Sequence, residues 1–323
     1  MTWDRLREDL GLARHVHLQG WGEPLLHPRL PEMVDAVKAA GSEVGITTNG
    51  DLLEPAIDWI VEKRVDQVVL SVAGDDATHA ELRSGARLEE LWSVLQRMID
   101  RRGKRKKPKI KVSYLLTRRN FEQVPEIVRA AADVGADELF VIHLDCTPSR
   151  ELRDEAAFDA SGLIPEAAAA IDRATRLARA RKLAFRAPSI SRQEILVCAL
   201  DPPSVVFVGW NGRVGPCVYL GLPVDGPIPR WDDNGPTQVE PMIYGDLAEE
   251  GLAEILRGER FRSFAGAFDA RLAIERRFVD GMVGRSAREN LSYLDDADRM
   301  REQELADHPF PAPCAGCHKV VGW

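Results

Sequence analysis

The sequence predicts an α/β protein built on a parallel sheet, followed by a smaller, irregular C-terminal domain. Apolar runs rich in Val and Ile occur at His15–Gln19, Val44–Thr48, Gln67–Val72, Ile110–Leu116 and Glu138–Leu144. Segments of helical period lie between them at Leu30–Ala40, Pro55–Lys63, Leu88–Arg101 and Phe121–Val134. Four strand–helix–strand units in succession imply parallel strands joined by right-handed crossovers. The runs are nearly continuous in apolar character, as expected when both faces of a sheet are covered. A third observation is a composition change: from Cys198 onward Pro and Gly are frequent. The boundary is placed near residue 190, giving domains 1–190 and 191–323.

Each element has a local reason. The first strand runs into Gly20-Trp21-Gly22-Glu23-Pro24, where Pro24 fixes the turn and suits the first position of a helical turn. The second ends in Thr47-Thr48-Asn49-Gly50 and the third in Ser71-Val72-Ala73-Gly74-Asp75-Asp76, with His79 and Arg83 beyond. Asn49 and Ser71 are turn and helix-cap residue types. The fourth strand ends in Leu116-Thr117, with Asn120 close behind. An alanine-rich helix, Ile164–Lys182, leads to a strand at Leu183–Ala187. In the tail, helices are expected to be short apart from a charged stretch around Arg271–Phe278. Val205–Gly209 and Arg213–Val218 flank Trp210-Asn211-Gly212, an Asn-Gly hairpin signal in which both turn residues can take positive φ.

Composition narrows the function. Hydrophobic residues make up 45% and charged residues 29% of 323 residues, which suits a globular protein. A net charge of −8 argues against broad nucleic-acid binding, and the basic run Arg101–Lys111 reads as a solvated loop. No stretch has the length of a membrane span, and the N-terminus reads as an amphipathic helix rather than a signal peptide. No G-x-G-x-x-G or P-loop follows a strand. The five cysteines, four of them at or beyond position 198, suit a cytoplasmic metal site better than a secreted disulfide scaffold.

Two groups of residues carry chemistry. Glu23 presents a carboxylate at the C-terminal end of a parallel strand, the end at which α/β barrels bind ligands, and it could accept from a ligand ammonium. It could equally serve the start of a helical turn, where an acid is favoured by the helix dipole. Cys314-Ala315-Gly316-Cys317 places two sulfurs near one centre, and Cys198 and Cys217 can join them from a distance. Four thiolates suit either an iron–sulfur cluster or zinc. Cys146, after the last core strand, reads as a small buried residue.

The Gly-Glu-Pro turn, the Thr-Asn-Gly turn, Ser71 with Arg83, and Thr117 with Asn120 follow in the order found in radical S-adenosylmethionine (SAM) enzymes, which this chain resembles. The resemblance implies a (β/α) TIM-like barrel, SAM as cofactor, and a SAM site that includes Gly20, Gly22, Glu23, Pro24, Asn49, Ser71 and Arg83. Glu23 would meet the methionyl amine; Ser71 and Arg83 would approach the ribose and carboxylate. Trp21 departs from the family's usual first glycine. The Cys198…Gly212…Cys217 spacing with Ile243-Tyr244-Gly245-Asp246-Leu247 resembles the opening of SPASM/twitch extensions. That implies an auxiliary [4Fe–4S] cluster on Cys198, Cys217, Cys314 and Cys317, with zinc as the alternative.

Such enzymes also carry a CxxxCxxC loop upstream that ligates a catalytic [4Fe–4S] cluster. Fourteen residues precede His15 and none is cysteine. The expectation is therefore a partial barrel lacking its first strand, from a truncated or mis-started radical SAM enzyme that abstracts hydrogen from a peptide, protein or small molecule. As it stands, the chain would not cleave SAM. The alternatives are a cluster-free binding or scaffold protein and a zinc-stabilised α/β binding protein.

Overall fold

The structure, a computed structural model, describes residues 2–83, 87–144, 146–159, 162–191, 195–283 and 287–320. The elements run α1 (Thr2–Leu6), β1 (His15–Leu18), α2 (Leu30–Ala39), β2 (Glu43–Thr48), α3 (Leu53–Glu62), β3 (Gln67–Val72), α4 (Asp76–Leu82), α5 (Leu88–Arg102) and β4 (Lys109–Leu116). Then come α6 (Val124–Val134), β5 (Glu138–His143), α7 (Arg150–Asp154), the short pair β6 (Phe158–Asp159) and β7 (Gly162–Leu163), α8 (Pro165–Arg181) and β8 (Ala184–Arg186). The C-terminal part adds β9 (Phe207–Val208), β10 (Arg213–Gly215), β11 (Ile228–Asp232), β12 (Gly235–Val239), β13 (Gly245–Asp246), α9 (Leu252–Ile255), α10 (Glu259–Met282) and α11 (Ala287–Asp307).

Six parallel strands form one sheet in the order β1-β2-β3-β4-β5-β8. The order never reverses, which separates it from a doubly wound sheet, where strand order switches direction. Right-handed crossovers throughout put every covering helix on one face. On that face Val44, Ile46, Val68, Leu70, Ile110, Val112, Tyr114 and Leu139 are fully buried, and α3, α5, α6 and α8 lie side by side over them. This is the sheet of a partial TIM-like barrel.

The other face is polar, and a one-residue offset in each strand explains why. Gln67 Nε2 lies 3.3 Å from His15 Nε2 and 3.2 Å from His17 Nδ1, while His17 Nε2 lies 2.8 Å from Thr47 Oγ1. A Cβ on Gly45 would come within 2.4 Å of His17 Nδ1, so this glycine makes room for the imidazole. Burial, with His15 and Lys111 nearby, holds His17 down to about 4, so the ring is neutral at pH 7. Farther along, Glu138 takes ion pairs from Lys111 at 3.0 Å and from Arg186, whose guanidinium lies 5.2 Å from the Phe140 ring centre.

Two expectations need correction. The basic run is not simply solvated: Arg101 pairs with Asp58 and Glu62, Arg102 with Asp137, Lys107 with Asp66 and Lys111 with Glu138. Nor are the tail's helices short, since α10 spans 24 residues and α11 spans 21. Their apolar residues are too dispersed to give a clear helical stripe. What holds them is mutual: Arg301–Glu275 (3.3 Å) and Arg277–Glu304 pair across them. Arg271, 5% exposed, donates to the carbonyls of Leu305 (3.1 Å) and His308 (2.7 Å) and lies 4.0 Å over the Phe310 ring.

The chain forms two compact units, Trp3–Arg192 with Pro229–Thr237, and Gln193–Ile228 with Gln238–Trp323 and the first two residues. Among the described residues no helix is long and apolar enough to cross a membrane.

Candidate functional site

In the sheet-bearing unit, the predicted residues gather at the C-terminal ends of β1, β2 and β3. Glu23 caps a 3-10 turn at Pro24–Leu26, with Pro24 in its first turn and the Leu25 N–H donating to Glu23 Oε1 at 3.0 Å. The same Oε1 accepts the Thr48 hydroxyl at 2.7 Å, and Oε2 accepts the Asn49 N–H at 2.7 Å. One carboxylate therefore both caps its own turn and ties it to the end of β2. A Cβ added at Gly20 or Gly22 would meet nothing within 4 Å, so neither glycine is packed against other residues.

The other members differ in how free they are. Asn49 turns its side chain to Asp51, donating to Asp51 Oδ2 at 3.0 Å and accepting the Asp51 N–H at 3.1 Å. Ser71 is buried, and the Ser113 hydroxyl donates to it at 3.4 Å. Arg83 follows α4 and is half-buried; its guanidinium has no ion pair among the described residues, and burial lowers its pKa. His79 is fully buried with Nδ1 accepting the Ala73 N–H at 3.1 Å, which makes it a pin for the β3 turn. Asn120 is likewise committed to structure, donating to Leu115 O at 2.8 Å and accepting the Thr117 N–H at 2.8 Å.

A cavity of about 590 Å³ opens beyond the ends of β4 and β5, lined by Arg118, Arg150, Arg153, Trp231 and Asp233 among others. The 229–237 hairpin tip closes one side. The Trp231 N–H donates to Thr147 O at 2.7 Å, and the Thr147 hydroxyl returns a bond to Trp231 O at 2.8 Å. Arg153 pairs with Asp233, donates to Phe158 O at 3.0 Å and lies 5.1 Å from the Phe158 ring centre. Sequence reasoning missed this wall, because its two halves are 80 residues apart along the chain.

The other unit holds Cys198, Cys217, Cys314 and Cys317; Cys146 lies in the sheet-bearing unit. The expected hairpin forms, with Val208 opposite Val214, and delivers Cys217. Only Gly212 takes positive φ, at 90°, and Asn211 does not, so the turn differs from the expected one. Cys314-Ala315-Gly316-Cys317 closes with the Cys317 N–H donating to Cys314 O at 3.0 Å. Ala315 at φ −56°, ψ 133° and Gly316 at φ 72° make a type II turn, which requires glycine in its third place.

The Leu220 N–H donates to Cys217 Sγ at 3.4 Å, and the Leu200 and Asp201 N–H groups serve Cys198. Burial, partly offset by the Leu220 and Tyr219 N–H groups and reinforced by Cys317 and Cys198, pushes the Cys217 thiol up to about 11. Burial raises Cys198 as well, with Cys317 adding to it. Tyr244 is held up by burial and by Cys217 and Cys314. The four cysteines thus share one electrostatic neighbourhood. Among the described residues, however, no three His, Cys, Asp or Glu side chains stand close enough to enclose a single metal ion.

Residues 2–140 match the radical SAM superfamily, and residues 198–277 match the SPASM iron–sulfur cluster-binding domain. The tungsten-containing aldehyde ferredoxin oxidoreductase cofactor-modifying protein of Pyrococcus furiosus is 28% identical over 258 residues, 77% of this chain and 68% of that protein. The PqqA peptide cyclase of Streptomyces rochei is 32% identical over 133 residues, 41% of this chain and 35% of that protein. Streptococcus suis SuiB, solved with S-adenosylmethionine bound, shares the fold with a TM-score of 0.56 at 15% identity, covering 81% of this chain and 59% of SuiB. Residues 2–140 are thus a radical SAM superfamily domain and residues 198–277 a SPASM domain, families whose cofactors are SAM and [4Fe–4S] clusters.

Proposed function

We propose that the chain binds SAM at the ends of β1 to β3 and an auxiliary [4Fe–4S] cluster through Cys198, Cys217, Cys314 and Cys317, as part of an enzyme that modifies a peptide or a cofactor. The observation that carries the SAM site is the Glu23 carboxylate. It offers about four acceptor positions, and three are taken by Leu25, Thr48 and Asn49. The remaining one, on Oε2, suits a ligand ammonium. Gly20 and Gly22 add no side chain to crowd the turn, and Pro24 holds it in place. Ser71 would meet the ribose hydroxyls, and Arg83, with no ion pair among the described residues, the methionyl carboxylate. In this protein class SAM bound to a catalytic cluster supplies a 5′-deoxyadenosyl radical for hydrogen abstraction. These 323 residues contain no three-cysteine loop for that cluster, and no step through it is assigned to them.

The cysteine site fits a cubane better than zinc. Four thiolates on one zinc stand about 3.8 Å apart, given tetrahedral Zn–S bonds of about 2.3 Å. A [4Fe–4S] cluster takes each thiolate on a different iron, so its ligands stand farther apart. The match of residues 198–277, which hold Cys198 and Cys217, to an iron–sulfur cluster-binding domain supports the second. N–H donors already aimed at Cys198 and Cys217 would stabilise thiolates.

The substrate reading rests on the cavity beside Trp231 and on the named activities of the two sequence relatives. Equilibrium dialysis with labelled SAM tests the central claim. Saturable binding of one SAM per chain, lost in Glu23→Ala, is the expected result. No binding by the wild-type chain would favour the scaffold reading.

A further inference from the structure

Tyr244 is 5% exposed, and its hydroxyl is buried without a hydrogen-bond partner among the described residues. The ring is fixed from two sides, edge-on to Phe261 at 5.4 Å and to Phe264 at 5.9 Å. Its backbone N–H donates to Val214 O at 2.7 Å, three residues before Cys217. The hydroxyl's titratable neighbours are the thiols of Cys217 and Cys314, one from each half of the cysteine set. An unpaired buried hydroxyl carries a desolvation cost that a phenylalanine would avoid. A rigidly held donor with no acceptor among the described residues, within electrostatic reach of Cys217 and Cys314, gains one when a sulfur acceptor arrives with the bound group.

We infer that Tyr244 donates an O–H···S hydrogen bond to the auxiliary cluster, at the Cys217 or Cys314 sulfur or an adjacent sulfide, and thereby raises its reduction potential. The inference rests on the cluster proposed above. It makes Tyr244 a positioning residue and not a ligand. A donor stabilises the more negative, reduced cluster, so removing it favours the oxidised form.

The test compares wild-type chain with Tyr244→Phe after anaerobic reconstitution. Iron and sulfide analysis addresses the cluster reading, and an EPR-monitored redox titration addresses Tyr244. Both proteins should hold about four irons per chain. In Tyr244→Phe the ratio of reduced to oxidised cluster at a fixed potential should fall roughly tenfold, a shift of about −59 mV for one electron. Incorporation of 3-fluorotyrosine at position 244 strengthens the donor without changing its shape and should move the potential the opposite way, which keeps the test open if Tyr244→Phe misfolds. Equal potentials in fully loaded proteins would overturn the inference and leave the cluster reading standing. Failure of the wild-type chain to take up iron would overturn the cluster reading itself.

Discussion

Glu23 Oε1 accepts the Thr48 hydroxyl at 2.7 Å, so the turn after β1 and the end of β2 share one carboxylate. The side chain that would recognise a ligand is also the side chain that builds the recess.

Glu23→Ala removes the acceptor for three donors at once. It should cost about 2–3 kcal/mol of stability, less than three bonds at about 1.5–3 kcal/mol each would give, because Glu23 is part-exposed and water takes up some of the freed donors. SAM affinity should fall at least tenfold, or about 1.4 kcal/mol. Glu23→Gln separates the two effects, because its amide must turn an N–H toward either Asn49 N–H or the ligand ammonium. Urea titration beside SAM dialysis measures both. Unchanged SAM affinity in Glu23→Gln would remove Glu23 from the proposed site.

Substitution of Cys198, Cys217, Cys314 or Cys317 by serine should each lower iron retention after anaerobic reconstitution, whereas Cys146→Ala should leave it unchanged. The control is sound because Cys146 lies in the other compact unit. Recovery of one zinc and no sulfide per chain would replace the cubane with a structural metal.

His17 gives a pH dependence of definite sign. Its folded pKa is about 4, below the ordinary 6.5, because the ring is buried beside His15 and Lys111. Above pH 6.5 the imidazole is neutral in both states and its contribution is complete. As pH falls from 6.5 toward 4 the unfolded chain binds the proton first and stability is lost, about 2 kcal/mol by pH 5. His17→Gln does not titrate and should flatten this part of the profile. Parallel urea midpoints at pH 7 and pH 5 that fall equally in both proteins would refute the assignment.

Arg153 anchors the hairpin tip through Asp233, the Phe158 carbonyl and the Phe158 ring. Arg153→Ala should speed hydrogen exchange across 229–237 while the rest of the sheet stays protected. Arg153→Lys should recover only part of the protection, because a point charge lacks the fork that serves two acceptors. Unaltered exchange in Arg153→Ala would mean that the Trp231–Thr147 bond pair holds the tip alone.

The sheet was readable in the sequence because buried parallel strands leave continuous apolar runs, and Val68 to Leu70 or Ile110 to Val112 need no partner to be recognised. Glu23 and Asn49 were readable because turn chemistry is local. What stayed hidden depends on distance along the chain. Nothing in Thr48 announces that its hydroxyl meets Glu23, and the Asn49 side chain turns instead to Asp51. Tyr244 sits in a stretch that was noticed, yet its free hydroxyl becomes visible only once Phe261 and Phe264 fix the ring. The long helices α10 and α11 were missed because their support is cross-helix pairing such as Arg301–Glu275, which no single-segment pattern records.

The unreversed strand order also makes the sheet separable. Every strand except the two at the borders lies between the preceding and the following strand of the same sheet. A break in the loop at residues 103–108, between α5 and β4, would divide the protein into two contiguous pieces that meet along β3 against β4, along α5 against α6 and through the Asp75–Gln123 bonds. The strand seam is in register over six residue pairs, from Gln67–Lys109 to Val72–Tyr114, and is apolar on its helix-covered face. Co-expressed halves cut there have one continuous surface through which to find each other and no strand to thread. Reassembly would restore the ends of β1 to β3 on one fragment and the cavity-lining residues on the other.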